Sequence, residues 1–214
     1  MRAMANGRLT KGERTREALV AAAIDRFARS SYQRVALGDI ARDAGVSPTA
    51  VYRYFEDKLA LFVAAVDSDA EALVEFARAR LDLGDGVPSL ADLLDLMSEG
   101  LADAVIDHPL VSRVLAGDPT MPPRQVLELP SLAALRIEIA TLLEALQQQG
   151  AVRASLDPAV AALALETVVI DHLADLTTGG SGDADTPADD RWRAVVTLLR
   201  VALRPEPAPG AVGF

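Results

Sequence analysis

Apolar residues recur at intervals of three and four along almost the whole chain, and no segment of strand length alternates apolar with polar positions. Leu19, Ala22, Ala23 and Phe27 mark one face of a first helix, predicted over residues 11–29, with Thr10 placed to cap it. A short second helix is predicted over 37–44. It stops at Gly45, whose missing Cβ allows the positive φ of a sharp turn. Ser47-Pro48 reads as a cap followed by proline in the first turn, where the absent N–H costs nothing. The helix so started runs only to about Tyr54. Glu56 and Asp57 put carboxylates at the positive end of a long fourth helix, whose stripe of Leu59, Phe62, Val63, Val66, Ala70 and Leu73 fades near Leu81.

After a Gly-, Pro- and Asp-containing loop over 81–89, Ser89 opens a fifth helix, and His108-Pro109 breaks the pattern before a short helix reaching about Ala116. Prolines at 119, 122, 123 and 130 mark residues 117–130 as mostly loop. Residues 131–149 form an amphipathic helix ended by Gly150. Asp157-Pro158 opens a helix over 159–177 that is apolar on nearly all sides, and the last helix spans 189–204 after a loop over 178–188. The fold class predicted is all-α, with about nine helices.

Composition narrows the function. Half of the 214 residues are hydrophobic but only 4% are aromatic, so the apolar mass is Ala, Leu and Val. That content excludes a disordered chain. The longest stretch without Asp, Glu, Lys or Arg runs over nine residues, Ala44 to Tyr52, against the roughly 20 apolar residues of a spanning helix. Cysteine is absent, which removes thiol catalysis and Cys-ligated metals. The basic start of the chain has no apolar export core, so a cytoplasmic protein is expected. The net charge of −10 is unevenly spread. Residues 1–58 carry 11 basic against 7 acidic residues, +4; residues 59–214 carry 10 against 24, −14. A basic module on an acidic one is the reading.

The segment Ile40-Ala-Arg-Asp-Ala-Gly-Val-Ser-Pro-Thr-Ala-Val-Tyr-Arg-Tyr-Phe55 has the spacing of a helix-turn-helix. Ile40, Ala41, Ala44, Val46 and Val51 are predicted to face inward. Ser47, Pro48, Thr49 and Ala50 then form the exposed first turn of the reading helix, where side chains and N–H groups can meet DNA. Tyr52, Arg53 and Tyr54 offer hydroxyl and guanidinium donors one turn later, and Lys58 is placed for a backbone phosphate. Lys11, at the start of the first helix, joins the candidate DNA contacts.

From about Arg16 to Leu61 the chain resembles the DNA-binding domain of TetR-type bacterial regulators. The matching residues are Ala18-Leu19, Ala22-Ala23 and Phe27, then Ile40-Ala41, Ala44-Gly45-Val46-Ser47, Val51-Tyr52, Tyr54-Phe55, Lys58 and Leu61. The resemblance implies a homodimer that binds a palindromic operator and is usually released from DNA by a ligand in its body. Three positions depart from the family pattern: Ala36 where Ser or Thr often caps the second helix, Ser31 where glycine is common, and Gly38 where a side chain is usual.

These readings divide the chain into a DNA-binding head over 1–56 with a flexible N-terminal arm, a ligand-binding and dimerisation body over 57–204, and a tail over 205–214 expected to be disordered. By the resemblance the last two helices pair with their copies, through Val160, Leu163, Val168, Trp192, Val196, Leu199 and Leu203. A helix apolar all round must be buried on several sides, although a monomer core could also cover it. Candidate effector-lining residues are Met97, Leu101, Val105, Met121, Leu135, Ile139, Val169 and Leu173. Asp171 and His172 join them, and Glu99, Asp103 and Glu166 are further polar residues on apolar helices that either reach a cavity or sit at the surface.

The function expected is a ligand-responsive repressor whose partners are double-stranded DNA, a second copy and a small-molecule effector, with no cofactor and no metal. An activator of the same family, or a helical adaptor without specific DNA binding, stays open. An enzyme is not expected. With two histidines, no G-x-S-x-G and no glycine-rich phosphate loop, only Asp171-His172 with Asp175 forms an acid–base cluster. Adjacent helix positions point about 100° apart, so Asp171 and His172 do not share a face.

Overall fold

The computed structural model describes residues 10–80, 89, 101–178 and 188–205, and over these it is helical, without a strand. Ten helices are described: α1 Lys11–Arg29, α2 Leu37–Asp43, α3 Pro48–Val51, α4 Lys58–Arg80, α5 Leu101–Asp107, α6 Pro109–Leu115, α7 Pro123–Val126, α8 Pro130–Gln148, α9 Pro158–Thr177 and α10 Ala188–Leu203. The helix predicted from Ser89 is described only over α5; its earlier part, the loops over 81–88 and 179–187, the N-terminal arm and the tail beyond residue 205 lie outside the described residues.

The chain separates into two compact units, residues 1–69 and 70–214. The boundary falls within α4 rather than at its start, because the first turns of that helix complete the core of the head. Leu61, Phe62, Ala65 and Val66 are buried with Leu19, Ala23 and Phe27 of α1 and with Ile40, Ala41 and Val51. Phe27 meets Phe62 edge-on at 5.0 Å and stacks on Tyr32 at 5.9 Å. Such ring pairs add about 0.5–1.5 kcal/mol beyond the area they bury.

The start of α1 is fixed locally. Thr10 Oγ1 accepts the Glu13 N–H at 3.2 Å while the Thr10 N–H donates to Glu13 Oε2 at 2.7 Å, a reciprocal capping box that satisfies two otherwise orphan donors. These bonds hold the Glu13 carboxyl below its ordinary pKa. Arg26 of α1 grips Asp43 of α2 through two hydrogen bonds, at 2.5 and 3.0 Å.

In the second unit, α9 is the central element and packs against α5, α6, α8 and α10, which accounts for its nearly all-round apolar surface. Asp157 caps it by accepting the N–H groups of Ala159 and Val160. At the end of α8, Gly150 has φ +72; its N–H reaches Gln147 O and the Ala151 N–H reaches Leu146 O, both at 2.9 Å, the glycine-terminated pattern that closes a helix.

The proline-rich stretch 117–130 is mostly loop, as expected, interrupted by the short α7 and anchored by Met121, Val126 and Leu129, which are all buried. Proline at the N-cap and first positions of a helix sacrifices no hydrogen bond. Pro122 and Pro123 occupy those places.

Candidate nucleic-acid interface

Between α2 and α3 the chain turns over four residues, Ala44 to Ser47. Gly45 takes φ +69, a left-handed conformation that a side chain would strain. Its N–H bonds to Arg42 O at 3.1 Å and the Val46 N–H bonds to Ala41 O at 2.9 Å, closing α2 tightly. Below the turn, Ile40, Ala41 and Val51 are wholly buried and Phe55 nearly so. Arg16 of α1 lies 5.3 Å above the Phe55 ring.

The outer side of this corner carries the predicted candidates. Ser47, Pro48 and Thr49 are exposed and Ala50 partly so. Ser47 stands at the N-cap position of α3 but does not cap it; its hydroxyl pairs with the Thr49 hydroxyl at 3.1 Å. Pro48 has no N–H and the Ala50 N–H bonds to Ser47 O at 2.9 Å, so of the first-turn amides it is that of Thr49 that the Ser47 side chain leaves uncapped. Tyr52 is 62% exposed and Arg53 is exposed beside it, whereas Tyr54 is half-buried. A side chain at Gly12 would come within 4.0 Å of the Tyr54 hydroxyl, so the start of α1, with exposed Lys11, lies near the end of the reading segment.

Lys58 is placed differently from the phosphate contact expected of it. Its Nζ donates to Tyr32 O at 2.8 Å and Val35 O at 3.1 Å and sits 4.3 Å from the Tyr32 ring centre. Two of its three donors tie the start of α4 to the α1–α2 connection.

The residues expected to line an effector site differ in their burial. Val105 lines a cavity of about 610 Å³ beside Ile106 and Arg113. Leu101, Met121, Val169 and Leu173 are buried, Leu135 and Ile139 are half-buried, and Met97 and Glu99 lie outside the described residues, as does the side chain of Asp103. Asp171 stands at the surface, while its neighbour His172 is buried and stacks on Trp192 at 4.2 Å. Glu166 is buried and ion-paired with Arg136, which also donates to Leu127 O at 2.6 Å. Burial pushes the Glu166 carboxyl up despite that guanidinium, and its Oε1 has no hydrogen-bond partner among the described residues.

Of the predicted dimer residues, Trp192 and Leu203 are buried inside the unit and serve its core. Val168, Val196 and Leu199 are half-buried. Val160 and Leu163 of α9 are exposed, together with Leu198 (69%) and Val201 (56%) of α10. Period gives a stripe's spacing but not which side the rest of the unit covers.

The comparisons with known proteins agree with this geometry. Residues 19–65 match the model of the family described as bacterial regulatory proteins, tetR family. An uncharacterized helix-turn-helix-type transcriptional regulator of Haemophilus influenzae is 38% identical over 92 residues, 41% of this chain. The match spans less than half, 45%, of that relative's length. Among solved structures, a Rhodococcus sp. protein described as a TetR-family transcriptional regulator superposes with a TM-score of 0.63 at 20% identity, over 89% of this chain and 98% of its own. The transcriptional regulator FadR of Bacillus subtilis, solved with stearoyl-CoA, gives 0.62 at 17% identity, over 88% and 99%. These two likenesses show the fold, and it is the head, over residues 19–65, that matches the TetR family of bacterial regulatory proteins.

Proposed function

We propose that the chain is a ligand-responsive transcriptional repressor that binds a palindromic DNA operator as a homodimer and is released by a small molecule bound in its second unit. One observation carries the reading: Val51 is fully buried while its neighbour Tyr52 is 62% exposed, so a short helix with an uncapped start is held rigidly from behind and offered outward. Ser47, Pro48, Thr49, Ala50, Tyr52 and Arg53 contact base edges and phosphates in this proposal, with Lys11 and Tyr54 at the rim and Lys58 positioning the head. The +4 charge of residues 1–58 against −14 elsewhere favours DNA at this face and repels it from the rest.

The exposed Val160, Leu163, Leu198 and Val201 supply the apolar face for a second copy. Pairing of two heads sets the half-site spacing. A small-molecule effector is in keeping with the Bacillus subtilis neighbour, which holds stearoyl-CoA. Release requires that the effector bind better to the arrangement in which the two heads are wrongly spaced.

An electrophoretic mobility shift with DNA flanking the chain's own gene, at about 50 and 200 mM salt, tests the proposal. Binding should weaken by orders of magnitude between the two. Tyr52→Ala should weaken it by about 10- to 100-fold; unchanged affinity would remove α3 from the interface. A chain that shifts no DNA at either salt is an adaptor.

A further inference from the structure

In the second unit a cavity of about 610 Å³ lies among the last turns of three helices, within the roughly 300–1,000 Å³ typical of small-molecule sites. Its walls are Val105 and Ile106 of α5, Ser112 and Arg113 of α6, and Leu176 and Thr177 of α9. Most of this lining is aliphatic. Ile106 is 78% exposed, the most exposed large hydrophobic side chain among the described residues, which leaves apolar surface for a ligand to cover.

The polar groups define the other end of the ligand. Ser112 Oγ donates to Val105 O and Thr177 Oγ1 to Ala174 O, so both hydroxyl protons are already used. Arg113 donates Nε to buried Asp118 at 3.0 Å, and its two terminal nitrogens have no acceptor among the described residues. The open donors are therefore one guanidinium fork, held in place from behind by Asp118. A hydrogen-bond acceptor is required.

That acceptor is uncharged, on electrostatic grounds. Asp118 cancels the charge of Arg113. The 20-residue α9 ends at the cavity, contributing about half a negative charge, and the last turns of α5 and α6 add to it. Residues 59–214 carry −14 in all. An anion meets a net negative surrounding, and a cation meets the guanidinium. We infer that this cavity takes a neutral amphiphile, an aliphatic chain ending in a carbonyl acceptor such as an ester, lactone, ketone or amide, with the carbonyl oxygen on Arg113.

The inference deepens the proposed effector role and rests on it. Its test is thermal unfolding of the full chain with methyl decanoate, decanoate and decyltrimethylammonium at equal sub-micellar concentrations, beside operator mobility shifts on the same preparations. The ester should raise the Tm by about 5–10 °C near saturation and the two ions by much less. Arg113→Gln should abolish the preference for the ester. Ile106→Ser, at an exposed site that leaves the core intact, should weaken ester binding about tenfold. Equal or stronger stabilisation by decanoate or the ammonium, or an undiminished ester effect in both variants, overturns the inference. If none of the three probes binds while the operator still shifts, the cavity assignment fails and the regulator reading stands. If the ester binds as described but no DNA shifts, the cavity stands and the regulator reading fails.

Discussion

In the first unit three ionic pairs lie at the surface: Arg26 and Asp43 are 40% and 38% exposed, and Arg29–Asp25 and Arg42–Asp39 are more open on at least one side, while the buried carboxylate of this unit, Asp69, stands at its very end. In the second unit the carboxylates of Glu166 and Asp118 are each only 4% exposed and held by Arg136 and Arg113. The first unit puts rings at its centre, Phe27, Tyr32 and Phe62. The second has buried charge, an unpartnered Glu166 Oε1 and a buried Trp192 Nε1 without an acceptor among the described residues. Close-packed apolar cores have one arrangement and resist deformation. Incompletely satisfied polar groups are where a second arrangement costs least. A rigid presenting head and an adaptable body are the two parts that the proposed ligand-responsive regulator needs.

The largest expected effect tests the rigid side. Phe27 is 1% exposed and touches both other rings. Phe27→Ala should cost about 4 kcal/mol of stability by urea unfolding, a large share of the roughly 5–15 kcal/mol of a whole protein. A loss below about 1 kcal/mol would mean the head is not the tightly packed member of the pair.

Next comes the body's buried charge. Glu166→Ala strands Arg136 and should cost about 3 kcal/mol. Glu166→Gln should cost about 1 kcal/mol, because an amide oxygen still accepts from the guanidinium. The two units also predict opposite acid limbs. The Glu166 carboxyl is raised above 4.5 by burial, against the opposing pull of Arg136. Its contribution is therefore full below 4.5 and lost as pH rises through the raised folded value, and Glu166→Gln should remove that decline. Asp43 of the head is lowered below 3.8, chiefly by the hydrogen bond from Arg26. Its contribution is present above 3.8 and lost as pH falls through the lowered folded value. Asp118 also stays low, since the hydrogen bonds from Thr120 and Arg113 outweigh its burial. The contrast is therefore read from single variants in denaturation at stepped pH, not from the whole protein's curve.

What the sequence revealed divides along the same line. The Thr10 cap, the Asp157 cap, the Gly45 turn and, of the inward set, Ile40, Ala41 and Val51 are local matters, decided within four residues or one helical period, and each is where the pattern puts it, while Ala44 and Val46 of that set are half-buried. The Arg136–Glu166 pair joins residues 30 apart, and the Arg113 cavity needs three helices. Periodicity carries no information on which helices meet. Lys58 shows the same gap inside the head: spacing puts a lysine at the start of α4, but only the fold reveals the carbonyls of Tyr32 and Val35 beneath it. Lys58→Ala should cost about 2 kcal/mol through those two charge-assisted bonds. It should weaken DNA binding equally for every sequence, measured by mobility shift on operator and random DNA.

The smallest effect concerns the one weak element of the rigid head. α2 has no side-chain cap at Ala36 and carries Gly38 in its first turn, so its seven residues depend on the Arg26–Asp43 link and on buried Ile40 and Ala41. Gly38 has no positive φ, and a Cβ there would meet nothing within 4 Å. Neither strain nor close approach therefore calls for glycine. Gly38→Ala should raise stability by about 0.5–1 kcal/mol, by restricting the unfolded chain and favouring the helix, with a Tm increase of about 2 °C. Affinity for DNA should stay unchanged, since a Cβ at Gly38 touches nothing that holds the α3 corner in place. Should Gly38→Ala instead stabilise the head and weaken operator binding, the looseness of α2 would belong to recognition, and adaptability would no longer be confined to the body.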